Sequence, residues 1–143
     1  TTIVGVDGGI PYNGRRIGVV QVGLEEDSCR EVSDVGHRRT YLTDRLGMPL
    51  IETVTEAAMR TPQEVAEVAD LLRKIVRSTG KVRSGAGAAR QDVNVSVTGG
   101  TRIEMTLVET TQAVASGYWR ESLASGGGCR PLSILLHEVA AWR

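Results

Sequence analysis

Thr61-Pro62-Gln63-Glu64-Val65-Ala66-Glu67-Val68-Ala69-Asp70-Leu71-Leu72-Arg73-Lys74-Ile75-Val76 carries the clearest structural instruction in the chain. Thr61 suits an N-cap, Pro62 the first helical position, and Glu64 the closing residue of a capping box. Val65, Val68, Ala69, Leu72, Ile75 and Val76 then recur at steps of three and four, which gives one apolar stripe; Arg77, Gly80 and Lys81 mark the stop. A helix with a single apolar stripe needs a surface to cover, and the flanking sequence supplies strands.

On the N-terminal side, Met48 to Val54 alternates, with Leu50, Glu52 and Val54 on one face and Ile51 and Thr53 on the other. Further back, residues 2–6 and 15–24 are β-branched runs around the turn formers Asp7-Gly8-Gly9, Pro11 and Asn13-Gly14, a hairpin signal. Glu25 to Glu31 and Ser33 to Arg39 read as a polar stretch. On the C-terminal side, a loop from Arg83 to Arg90 leads into alternating Asp92 to Val97, then Gly99-Gly100 and alternating Thr101 to Met105, a second hairpin. Glu109 to Leu123 and Leu132 to Trp142 read as helices on either side of a flexible Ser125-Gly126-Gly127-Gly128 break. The expectation is an α+β fold, a mainly antiparallel sheet with one long packed helix. Residues 1–106 form the domain, and 107–143 a C-terminal segment that is helical with a Gly-rich break.

The 17 Lys+Arg balance the 17 Asp+Glu over 143 residues, so a generic polycationic nucleic-acid binder is excluded and any phosphate binding must be local. With 41% hydrophobic and 24% charged residues the chain sits at the globular norm, and wholesale disorder is excluded too. Phe is absent, so the core must be aliphatic. Apolar runs such as Ile134 to Leu136 fall far short of the roughly 20 residues a membrane span requires, and no signal peptide opens the chain; the expected setting is the cytoplasm, with no membrane partner. Cys29 and Cys129 have no CxxC or His partner spacing and read as cytosolic thiols.

Carboxylates converging from two strands are what Mg²⁺ and nucleotide phosphates require, and Glu25, Glu26 and Asp27 follow one strand while Glu52 lies inside another. The alternative for the acidic cluster is plain solvation. Glu52 is the more telling, because a carboxylate among apolar neighbours needs a partner. Gly85-Ala86-Gly87 resembles a phosphate-cradling loop, but it stands between a helix and a strand, the reverse of the dinucleotide and P-loop order. Lys81, Arg83 and Arg90 around it can grip a phosphate or simply decorate a turn. His37 and His137 show no Ser/His/Asp or Cys/His arrangement, which argues against nucleophilic catalysis.

Five strings stand in a recognisable order: Leu24-Glu25-Glu26-Asp27, Asp44-Arg45-Leu46-Gly47-Met48-Pro49-Leu50-Ile51-Glu52, Met59-Arg60-Thr61-Pro62-Gln63-Glu64, Arg77-Ser78-Thr79-Gly80-Lys81-Val82 and Arg90-Gln91-Asp92-Val93-Asn94-Val95-Ser96-Val97. Together, over approximately residues 3 to 104, they resemble the B and E subunits of tRNA-dependent amidotransferases, most of all the archaeal E type. The resemblance implies part of a cradle-shaped domain that uses ATP and Mg²⁺ to phosphorylate the side-chain carboxylate of Glu-tRNA(Gln), after which ammonia from a partner amidase subunit displaces the phosphate. It implies Glu25, Glu26 and Glu52 as metal-holding carboxylates, Glu52 and Arg90 as catalytic residues, and Lys81, Arg83 and Arg90 as cofactor-binding cations. Asn94 and Ser96 would share one side of a strand.

The family's cradle carries an earlier Glu-x-His-type metal-binding segment that this chain does not supply, and Glu104-Met105-Thr106 stands where the family reads Glu-Ile-Lys. The chain is therefore expected to derive from such a subunit and to be incomplete as an isolated catalyst. The rival expectation is a structural or interaction protein: a cradle fragment with uncovered sheet edges that forms homo-oligomers.

Overall fold

The computed structural model describes residues 1–85, 88–95, 103–107 and 133–139, the last two stretches by their backbone. Strands β1 (Thr2–Tyr12) and β2 (Arg15–Glu26) form a hairpin; β3 (Arg30–Val35) and β4 (Arg38–Leu42) form another; β5 (Pro49–Thr55), α1 (Pro62–Ser78), β6 (Ala89–Val95), β7 (Ile103–Leu107) and β8 (Ser133–Val139) follow. Six strands make one antiparallel sheet in the order β1-β2-β5-β8-β6-β7, and β3-β4 stand apart as a two-stranded ribbon. The expected α+β class and antiparallel sheet are both present.

The helix begins as its sequence requires. Thr61 is the extended N-cap, its hydroxyl accepting from the Glu64 N–H at 3.1 Å, and Pro62 opens the first turn. The Glu64 carboxylate reaches back one residue beyond the cap, accepting from the Arg60 N–H at 2.7 Å. Val65, Val68, Ala69 and Leu72 are buried against Ile10, Ile17 and Val19 of the first hairpin and Val93 and Val95 of β6. Each fully buried aliphatic side chain contributes about 1.5–3 kcal/mol. The stripe does not stay buried to its end: Ile75 is 45% exposed, because the last turns overhang an open cleft.

The first hairpin turns only at Asn13-Gly14, where φ values of 46° and 75° give the two left-handed positions of a two-residue turn between Tyr12 and Arg15. Asp7-Gly8-Gly9 and Pro11, read from sequence as turn formers, instead continue β1. As an edge strand it tolerates proline, and Gly9 leaves room for the Arg16 side chain, whose guanidinium donates to the carbonyls of Asp7 and Gly8. The polar stretch after Glu26 holds the β3-β4 ribbon, exposed on both faces, so no apolar period marks it.

Leu132 to Trp142, read as a terminal helix, contains strand β8. Its backbone pairs with β5 on one side and β6 on the other, so the strand latest in sequence fills the middle of the sheet. A short continuous apolar run fits a buried strand as well as a helix, and two open strand edges decide for the strand. The expected helix over Glu109 to Leu123, the Gly-rich break, the Gly99-Gly100 turn and Cys129 lie outside the described residues. Cys29 carries a free thiol. Among the described residues no helix is long and apolar enough to cross a membrane.

Candidate functional site

Register sorts the candidate residues onto the two faces of the sheet. Cross-strand partners in an antiparallel pair share a face, and α1 covers the face that carries Ile10, Ile17, Val19, Val93 and Val95. Thr53 and Ile51 belong to that helix face. Glu52 therefore lies on the opposite, outer face, where it is paired with Gly23 of β2 and His137 of β8. His137 is paired in turn with Arg90 of β6. Two strand spacings separate Glu52 from Arg90, about 10 Å.

The acidic cluster divides. β2 runs two residues further than the sequence suggested, so Glu25 and Glu26 are strand residues and alternate in face. Glu25 pairs with Leu50 and shares the outer face with Glu52, as a diagonal neighbour about 7–8 Å away; its carboxylate accepts from the Thr1 hydroxyl. Glu26, opposite Pro49, falls on the other face and is exposed. Asp27 fastens the loop ahead of β5. Its carboxylate accepts from Arg45 Nε at 2.6 Å, its N–H donates to the Met48 carbonyl, and its carbonyl accepts from the Gly47 N–H. Among the described residues no three His, Cys, Asp or Glu side chains gather as a metal cluster. Two carboxylates on one face still fit Mg²⁺, which typically takes one or two of them together with phosphate oxygens.

The cations divide too. Arg90 is half exposed on the outer face, 3.5 Å from the buried carboxylate of Asp92 two residues on. Asn94 continues that side of β6, and its buried Oδ1 has no hydrogen-bond partner among the described residues; Ser96 lies outside them. Lys81 is instead on the helix side, at the rim of a cleft of about 570 Å³ between α1 and β1, β2 and β5. Ile10, Val19, Ile51, Leu72 and Val76 line that cleft, which suits apolar matter and not a triphosphate. Arg83 is exposed in the following loop, whose Ala86 and Gly87 lie outside the described residues. Sequence reasoning grouped Lys81, Arg83 and Arg90 by proximity in the chain; the sheet separates Lys81 from Arg90. His137, set aside in the sequence for lack of a nucleophile or carboxylate pattern, lies in register with Glu52 and Arg90.

The sheet of this α+β domain thus presents Glu25, Glu52 and Arg90 on the face away from its helix. Residues 3–122 match the family model described as the GatB/GatE catalytic domain, and the chain belongs to that family. The E subunit of the glutamyl-tRNA(Gln) amidotransferase of Sulfolobus acidocaldarius is 40% identical over 114 residues, covering 80% of this chain and 18% of the relative. The E subunits of Archaeoglobus fulgidus and Pyrobaculum aerophilum are 44% and 45% identical over 105 residues, 73% of this chain and 17% of each relative. The chain thus spans less than a fifth of the length of these curated relatives. The family match continues past residue 104, where the sequence resemblance stops. No solved structure matches the chain.

Proposed function

We propose that this chain is part of the activating domain of a glutamyl-tRNA(Gln) amidotransferase E-type subunit, with the outer sheet face as its nucleotide site. The observation that carries the reading is the common face of Glu25, Glu52 and Arg90, within a span that matches the family model. Glu25 and Glu52 would hold Mg²⁺, which when bound neutralises phosphate charge. Arg90 would face the phosphates as a planar, permanently charged donor, held in place by Asp92. In the overall reaction the glutamyl carboxylate of Glu-tRNA takes the γ-phosphoryl group of ATP, ADP leaves, and ammonia then displaces phosphate. A cytoplasmic setting, with tRNA and an amidase as partners, belongs to the same proposal.

Calorimetric titration of the chain with ATP in the presence of Mg²⁺ tests it. Binding that needs Mg²⁺ and is lost in Glu52→Ala and Arg90→Ala but kept in Glu26→Ala is the expected result. Binding indifferent to all three substitutions would overturn the site.

A second reading has its own observation. The edge strand β1 exposes Ile3, Val4 and Val6 at 47, 59 and 65%, and a long apolar edge pairs readily with another copy. Light scattering after size exclusion separates the two: particles that form with or without Mg-ATP and ignore Glu52→Ala favour a self-associating interaction protein.

A further inference from the structure

We propose that Gln21 is the base-reading residue of the outer-face site, its side-chain amide recognising the adenine of a bound ATP; the proposal rests on the nucleotide-site reading above. The observation is the row that Gln21 occupies on β2. Its cross-strand partners are Val6 of β1 and Val54 of β5. Val54 lies on the face opposite Thr53, so the row is on the outer face with Glu52, two residues away along β5. Ile3, in register with Gly23 and through it with Glu52, belongs to the same face. Ile3 and Val6 are 47% and 65% exposed. Gln21 sets an amide into this aliphatic patch, and that amide makes no hydrogen bond among the described residues.

The chemistry suits that place. A purine has an apolar face, which exposed aliphatic side chains can cover, and a polar edge that a single well-placed amide can read. The amide carbonyl accepts from the adenine N6 amino group while the amide N–H donates to N7. Guanine presents two acceptors on that edge, which leaves the amide carbonyl unpaired. The scale fits as well. Gln21 and Arg90 lie three strand spacings apart, about 14 Å, with Glu52 between them. Phosphates held at Glu52 and Arg90 therefore leave the base on the side of the first hairpin, where the aliphatic patch is.

Calorimetric titration of the full chain with Mg-ATP, Mg-GTP and Mg-tripolyphosphate separates base from phosphate. ATP is expected to bind about tenfold more tightly than GTP, the scale of discrimination that one bidentate pair gives. Gln21→Leu should erase that preference and leave tripolyphosphate binding as it was. Gln21→Arg, whose guanidinium donates to both guanine acceptors, should turn the preference toward GTP. If ATP and GTP bind alike, or the preference for ATP survives Gln21→Leu, the role of Gln21 is overturned, while tripolyphosphate binding that Arg90→Ala abolishes keeps the nucleotide site standing. A loss of tripolyphosphate binding in Gln21→Leu overturns the role as well, since the residue then does not read the base. If neither tripolyphosphate nor ATP binds the parent chain, the nucleotide site itself falls, and the inference with it.

Discussion

The guanidinium of Arg15 lies 2.8 Å from the carboxylate of Glu64, and the same carboxylate accepts from the Arg60 N–H. Arg15 also donates to the Ala58 carbonyl at 3.0 Å and stacks over the Tyr12 ring at 5.7 Å. The tip of the first hairpin is thereby tied to the first turn of the helix and to the chain that leads into it.

Arg15→Ala removes all of these ties at once and leaves the Ala58 carbonyl without its donor. The expected loss is about 1–3 kcal/mol, more than an exposed ion pair alone provides. Urea unfolding followed by circular dichroism measures it; a midpoint within error of the parent would show the ties to be energetically idle.

Thr61→Ala should cost about 1 kcal/mol by orphaning the Glu64 N–H, while Thr61→Asp restores an acceptor and should recover most of the loss. Helical signal and unfolding midpoint, compared between the two variants, distinguish capping from any other role of the hydroxyl.

Met59 is fully buried in the core beside α1. Met59→Ala leaves a cavity there, with an expected cost of about 2–5 kcal/mol, whereas Met59→Leu conserves volume and should cost under about 1.5 kcal/mol. A similar midpoint for both variants would mean that the surroundings collapse into the space.

Tyr12 donates to the Glu67 carboxylate, and that hydrogen bond, chiefly, pushes its pKa up to about 12 from 10.0. A group with a raised folded pKa contributes stability that is complete below the unfolded value and lost as pH rises through the folded one. The contribution is therefore whole below pH 10 and fades between 10 and about 12. Glu67 is held below its ordinary range, first by the Gln63 amide and then by Tyr12, so its share is present at neutral pH and lost in acid as pH falls below the usual carboxylate value. Carbon-13 titration of the Tyr12 ring, assigned with Tyr12→Phe, should show it ionising near 12; a value near 10 would refute the pairing.

How much of this is legible in the sequence depends on where the physical signal lies. The helix from Pro62 is legible because cap, proline and apolar stripe coincide within one stretch. The alternation of Leu50 to Val54 correctly separates Glu52 from Thr53. Glu25 cannot be told from Glu26, since the choice depends on two further residues of pairing between β2 and β5. The β3-β4 ribbon has no buried face and so no period. The common face of Glu52 and Arg90 is beyond reach, because it depends on a strand that begins with Ser133, far along the chain from Arg90. Tertiary pairing of that kind leaves no local mark.

The central place of β8 has a temporal consequence. A ribosome releases β1, β2 and β5 first, then α1, β6 and β7, and among the described strands nothing hydrogen-bonds β5 to β6 except β8. Until Val139 has emerged, the nascent sheet is two halves that share a helix but no backbone ladder. The pairing that unites them closes loops of about forty and eighty residues, the kind of non-local step that slows folding. The row containing Glu52 and Arg90 is therefore among the last features to form, and a chain cut before Ser133 would hold both residues on separate pieces of sheet.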